Sequence, residues 1–126
     1  MIVDMQAGLE HLSWAGGTLR DVDVLLLVTE AHTKSLRTAH RAHALAVQLG
    51  IASVAVVGNR LLDTDRDRVD RFASERGLPL VAAVPEDPAV RAADRAGTCL
   101  LDHSPNAPAT TALLPLADRL TRIHQP

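Results

Sequence analysis

A carboxylate and a glycine near the start of the sequence have the types and spacing of a phosphate-handling pair. Asp4 ends the short apolar run Met1-Ile2-Val3, and Gly8 follows four residues later. In α/β proteins that bind phosphates, a carboxylate at the end of a strand faces the metal ion, and a nearby glycine lets its backbone N–H approach a phosphate closely. Taken alone, Asp4 is better explained as an ordinary polar residue at a strand end.

The usual phosphate-binding loop is missing from these 126 residues. No G-x-x-x-x-G-K-[ST] pattern occurs, and the single pair of adjacent glycines, Gly16-Gly17, is not followed by lysine. Without a backbone nest and a lysine, the charge of a bound phosphate goes largely uncompensated.

The elements that must position these residues alternate between apolar runs and helical patterns. Buried strands are predicted at 22–28, 51–57 and 78–84, and helices at 33–49, 64–76, 88–96 and 109–124, with a loop at 104–108 and a kink or break at Pro115. Thr33 is the predicted N-cap of the first helix and Gly50 its stop, while Glu86 or Asp87 caps the third. This alternation predicts one α/β domain over residues 1–126, a parallel sheet with helices on both faces.

Ligands of such sheets bind beyond the carboxyl ends of the strands. The residues predicted there are Asp4, Thr29-Glu30, Asn59-Arg60 and Pro85-Glu86-Asp87. Each also has a plain structural explanation, because Asn59 after Gly58 suits a turn, and Pro85 to Pro88 suits a strand stop and helix start.

Composition excludes several classes of function. The formal net charge is −2 with interspersed signs, which argues against a nucleic-acid-binding protein. The single Cys99 excludes an intrachain disulfide and a multi-cysteine metal site, and we expect it to be a buried small apolar residue. There is no signal peptide pattern and no apolar run that could span a bilayer, so a cytoplasmic location is the default expectation. His32, His40 and His43 could conceivably hold a metal, but a solvated helix face explains them better.

Three separated motifs resemble the C-terminal half of MinD/ParA-type P-loop ATPases. They are Asp4-Met5-Gln6-Ala7-Gly8-Leu9-Glu10-His11-Leu12, then Val56-Val57-Gly58-Asn59-Arg60, then Val84-Pro85-Glu86-Asp87-Pro88-Ala89-Val90. The first is similar to the D-x-E-A-G-[IL]-E-H-L run of the carbon-monoxide dehydrogenase maturation (nickel-insertion) branch, CooC.

The resemblance implies roles for individual residues. Asp4 would hold Mg²⁺ through water, and Gly8 would sense the γ-phosphate of ATP through its backbone N–H. Asn59 would hydrogen-bond the adenine edge, and Pro85 and Asp87 would line the adenosine pocket. The resemblance further implies a nucleotide-dependent homodimer that acts on a partner or a metalloenzyme client. The sequence of this chain contains no membrane segment.

The sequence departs from the family in two ways. Gln6 replaces the glutamate usual in the CooC branch, and the half that carries the P-loop strand and its lysines is absent. We therefore expect no catalytic residue and no ATP hydrolysis by this chain alone. The alternative is a non-catalytic module that pairs with a partner or a separate N-terminal half; an unrelated small-molecule-binding α/β domain would leave the three motifs unexplained.

The missing strand also predicts a consequence for stability. In the family, the P-loop strand lies between the two strands that correspond to residues 1–4 and 22–28 of this sequence. Its removal would leave unpaired apolar edges, so we expect the isolated chain to be marginally stable or to associate through that gap.

Overall fold

The computed structural model describes residue 2 and residues 22–123. In this part the elements are β1 (Leu25–Thr29), α1 (Thr33–Gln48), β2 (Val54–Leu61), α2 (Arg66–Glu75), β3 (Leu80–Pro85), α3 (Pro88–Arg95), α4 (Leu100–His103) and α5 (Pro108–Ile123). Of the predicted strand at 1–4 only residue 2 is described, so that strand stays a prediction.

The three strands form one sheet in the order β1-β2-β3, and both pairs are parallel. Val28 pairs with Val57 in the first ladder, and Val57 pairs with Ala82 in the second. The prediction of an α/β protein with a partial parallel sheet is confirmed. Because the strands are parallel, all three carboxyl ends lie at one edge.

Helices cover both faces of this sheet, as predicted. Neighbouring residues of a strand point to opposite faces, and Val56 and Val57 of β2 accordingly belong to different cores. Val56 packs with Val69 and Phe72 of α2 and with Ala39 of α1. The other core joins four residues of β2, β3 and α5: Val57, Val84, Ala109 and Leu116.

The ends of α1 correct one prediction and confirm another. The N-cap is His32, not Thr33, because the Nδ1 atom of His32 accepts the backbone N–H of Ser35 at 3.3 Å. An imidazole nitrogen thus serves the role that an oxygen of Ser, Thr, Asp or Asn usually serves. Gly50 takes the left-handed conformation, with φ of 74°, just past the end of the helix as predicted.

The region after α3 differs from the prediction in three respects. A short helix, α4, lies in the stretch between the predicted helix and loop, and Cys99 at its start is exposed rather than buried. Helix α5 continues through Pro115 instead of breaking there. Proline removes one intrahelical hydrogen bond, and burial of Ala109 and Leu116 on either side holds the helix against the sheet.

Candidate functional site

The carboxyl edge of the sheet brings together most of the residues predicted for the site. Glu30 follows β1, Asn59 and Arg60 lie in the last part of β2, and Pro85 ends β3 with Asp87 two residues beyond. Asp4 and Gly8, the predicted metal and phosphate residues, lie outside the described residues, so their roles stay predictions.

Strand β2 runs four residues beyond its predicted end at Val57, and it is irregular there. Gly58 is opposite Ala83 and Leu61 is opposite Pro85, so two residues of β2, Asn59 and Arg60, face a single residue of β3. Arg60 has a φ of 53°, the left-handed region that side chains other than glycine seldom occupy. Such bulges redirect side chains and occur often beside functional sites.

Gly58 fits this bulge because it lacks a side chain. A Cβ atom built there would lie 2.8 Å from the Cδ1 of Leu61 and 3.3 Å from the Cγ1 of Val69. Leu61 and Val69 are both buried, so neither can withdraw into solvent. The glycine therefore lets the bulge fold back onto the core under the edge of the sheet.

Arg60 links the ends of the two outer strands. Its Nη1 lies 3.4 Å from a carboxylate oxygen of Glu30, after β1, and its Nε donates to Glu86, after β3, at 3.2 Å. Glu30 also approaches His32 at 3.4 Å. These side chains are partly exposed, so the pairs contribute little to stability, but they fix where one cation and two carboxylates stand at the edge.

Asn59 differs from its neighbours because its side chain is unengaged. The residue is half-buried, and its amide makes no hydrogen bond to any residue in the described part of the chain. A side-chain amide offers one acceptor and two donors in one plane. It can thus pair with a group that presents a donor beside an acceptor, as the edge of an adenine ring does.

Asp87 has a structural task of its own. Its Oδ1 accepts the N–H of Ala89 in the first turn of α3, and its Oδ2 accepts the N–H of Ala109 in the first turn of α5, both at 3.0 Å. The hydrogen bond from Ala109, and then that from Ala89, lowers the pKa of Asp87 below its ordinary value. The predicted cap is confirmed; contact of Asp87 with a nucleotide stays a prediction.

A small polar network ties the end of β1 to α1. The Oγ of Ser35 accepts the N–H of Glu30 at 2.9 Å and lies 3.0 Å from the Oγ1 of Thr29. Thr29 is buried, so these bonds satisfy a hydroxyl that would otherwise cost free energy. They hold Glu30 at the edge where Arg60 reaches it.

The described part of the edge fits a nucleotide base better than its phosphates. Asn59 supplies an amide, whereas the one arginine present is engaged by two carboxylates. No group of three or more His, Cys, Asp or Glu side chains among residues 22–123 could hold a metal ion.

Sequence reasoning located the edge but missed three contacts within it. The partners of Arg60, Ser35 and Asp87 depend on residues brought together by the fold. The pairing of Asp87 with Ala109 spans 22 positions and ends on a backbone N–H, so no residue type reveals it. The contact of Ser35 was the one that the sequence could have indicated, because a serine near the start of a helix that follows a strand often bonds to the backbone there.

No protein-family model matches the chain. The carbon monoxide dehydrogenase accessory protein CooC of Rhodospirillum rubrum is 36% identical over 110 residues, which are 83% of this chain and 39% of CooC. The chain thus spans well under half the length of that relative.

Two solved structures show the same fold. The MinD cell division protein of Aquifex aeolicus superposes with a TM-score of 0.74 at 19% identity, covering 94% of this chain and 50% of that one. The septum site-determining protein MinD of Pyrococcus horikoshii, solved with Mg-ADP, gives 0.72 at 19% identity, covering 95% and 49%.

The comparisons define the class: this chain has the fold of the MinD/ParA-type P-loop ATPases. In sequence it is close to CooC. Separately, no helix among the described residues is both long and apolar enough to cross a membrane.

Proposed function

We propose that this chain forms the base-binding part of a MinD/ParA/CooC-type ATP-binding domain and corresponds to the C-terminal half of such a domain. The observation that carries the proposal is the unengaged amide of Asn59, held by a bulge at the carboxyl edge of the sheet. Asn59 would bind the adenine edge, with Pro85 and Asp87 lining the adenosine pocket.

The phosphate end of the site is proposed on sequence alone. Asp4 would hold Mg²⁺ through water, and the backbone N–H of Gly8 would contact the γ-phosphate. The Mg-ADP bound to the Pyrococcus horikoshii MinD supports nucleotide and Mg²⁺ as the ligands of the family. With no lysine-bearing phosphate loop in the 126 residues, we propose weak nucleotide binding and no hydrolysis by this chain alone.

In a complete ATPase of this type, the proposed function is ATP hydrolysis coupled to maturation of a metalloenzyme or to positioning of a partner. The likeness to a carbon monoxide dehydrogenase accessory protein favours maturation. Association as a nucleotide-dependent homodimer is part of the same proposal.

A second candidate is a non-catalytic module that pairs with a partner or with a separately encoded N-terminal half. The absence of a phosphate loop from the sequence favours it. In this case pairing would occur without any contribution of Asn59 to nucleotide affinity.

Calorimetric titration of ATP and Mg²⁺ separates the two. The titrated samples are this chain, a P-loop-bearing N-terminal half of the Rhodospirillum rubrum CooC, and their mixture. The first proposal predicts that the mixture binds more tightly than either part and that Asn59→Ala removes the gain. Complex formation on a sizing column with no gain in nucleotide affinity supports the non-catalytic module. A mixture that shows neither a complex nor nucleotide binding would contradict both proposals.

A further inference from the structure

A groove of about 350 Å³ runs between α1 and α2, on the sheet face that these helices cover. Both helices line it with the same spacing, positions 33, 36, 37 and 40 on α1 and positions 68, 71, 72 and 75 on α2. That spacing is one face of a helix over two turns. The groove is therefore formed by two matched helical stripes, and it includes neither Asn59 nor the other predicted nucleotide residues.

Hydrogen bonds tie the two helices together at both ends of the groove. At one end the guanidinium of Arg68 donates to the Oγ1 of Thr33 at 2.8 Å. At the other, the Nε of Arg76 donates to the Nδ1 of His40 at 3.1 Å. The Arg76 guanidinium also lies 3.9 Å from the centre of the Phe72 ring. The spacing of the two helices is therefore fixed before any ligand arrives.

The middle of the groove combines a half-buried leucine with two exposed arginines. Leu36 forms its accessible apolar floor, since Phe72 is only 6% exposed, and Arg37 and Arg71 flank it. Both of these arginines are exposed and make no ion pair or hydrogen bond to any residue that the structure describes. Glu75 is the one acidic residue in the lining; it lies 3.9 Å from Arg76 and one helical turn from Arg71.

We propose that this groove is a docking site for an acidic amphipathic segment of a partner protein. Carboxylates of the segment would accept paired hydrogen bonds from Arg37 and Arg71, since guanidinium and carboxylate match in geometry. An apolar side chain between the carboxylates would cover Leu36. The stripes extend over roughly 10 Å, which suits about two turns of a helix laid in a groove.

Charge and size favour an acidic peptide over a nucleic acid. Proteins that bind duplexes through phosphates commonly make roughly six to ten such contacts. The groove offers two unengaged guanidiniums over about two helical turns, on a chain whose net charge is −2. Its apolar floor would also have no counterpart in a phosphate backbone.

Fluorescence anisotropy with a labelled helical peptide tests the proposal. The probe is a peptide of ~12 residues with glutamates flanking leucine at i and i+4, and a version with glutamine in place of glutamate is the uncharged control. The structure predicts saturable binding of the acidic probe that Arg37→Glu/Arg71→Glu weakens by about tenfold or more. The matched variant Arg91→Glu/Arg119→Glu makes the same change of charge on exposed residues of α3 and α5, away from the groove, and should leave binding within about twofold.

Four results would overturn it: no saturable binding at millimolar peptide, equal weakening in both double variants, equal affinity for the glutamine version, or tighter binding of a single-stranded DNA through the same arginines. Circular dichroism verifies that each variant is folded. The groove and the nucleotide edge share no residue. A negative peptide-binding result therefore does not affect the proposed nucleotide site, and a negative nucleotide titration does not affect the proposed docking site.

Discussion

The carboxylate of Asp87 accepts the backbone N–H of Ala109 at 3.0 Å, across 22 positions of the chain. Its other oxygen accepts the N–H of Ala89, so one side chain caps both α3 and α5. The first N–H groups of a helix lack intrahelical partners, and a negative charge beside them is favourable. Asp87 thereby fixes the starts of two helices against the edge of the sheet that carries Asn59.

Replacing Asp87 should loosen both helix starts. We expect Asp87→Ala to lower Tm by several degrees in thermal unfolding followed by circular dichroism, because two backbone donors lose their acceptor. Asp87→Asn keeps one acceptor oxygen and should lie between the wild type and Asp87→Ala. Asp63→Ala, at an exposed position with no bond to any described residue, is the control. A Tm for Asp87→Ala equal to that of the control would contradict the double cap.

The lowered pKa of Asp87 predicts a dependence of stability on pH. Since the pKa in the folded state is below the ordinary value of 3.8, the ionised group stabilises the fold fully above that value. The contribution is lost as the pH falls through the lower, folded-state pKa. Urea unfolding of wild type and Asp87→Asn should thus give a gap in the free energy of unfolding near neutral pH that narrows below pH 3.8. A gap that widens on acidification would show that the sign is wrong.

Gly58 should tolerate no side chain. Gly58→Ala would place a methyl group against the buried Leu61 and Val69, and overpacking of this kind costs about 1–3 kcal/mol. Gly50→Asn serves as a comparison, because Gly50 has a positive φ but open space around it and asparagine tolerates that conformation. Urea unfolding should show the larger loss for Gly58→Ala; equal losses would mean that Gly58 is not sterically required.

The left-handed φ of Arg60 can be separated from its ion pairs. Arg60→Ala and Arg60→Gly both lose the contacts with Glu30 and Glu86, but only alanine keeps a Cβ at a φ of 53°. We therefore expect Arg60→Gly to be more stable than Arg60→Ala by about 1 kcal/mol. Chemical denaturation measures the difference, and an alanine variant at least as stable as the glycine variant would argue against the left-handed bulge.

The α/β class and the gathering of Glu30, Asn59 and Asp87 at one edge of the sheet could be predicted from the sequence, because both follow from local pattern. Apolar runs marked the three strands, and Gly50 and Asp87 marked helix ends through their own chemistry. The bulge in β2 could not be predicted, since it depends on how Gly58 packs over Val69 of a later helix. The exposure of Cys99 and the continuity of α5 through Pro115 likewise depend on tertiary packing, which overrides local preference.

Asn59 and the start of α3 are proposed to form the base-binding end of a nucleotide site. Amide chemical shifts of the ¹⁵N-labelled chain, followed during titration with ATP and Mg²⁺ to millimolar concentration, test it most directly, because such shifts detect weak binding. The account predicts saturable shifts of the Asn59 side-chain amide and of the Glu86 and Asp87 backbone. Adenosine should reproduce them and inorganic triphosphate should not. Asn59→Ala but not Asn106→Ala should abolish the shifts of the Glu86 and Asp87 backbone. Absence of these shifts, or shifts confined to the arginines between α1 and α2, would contradict it.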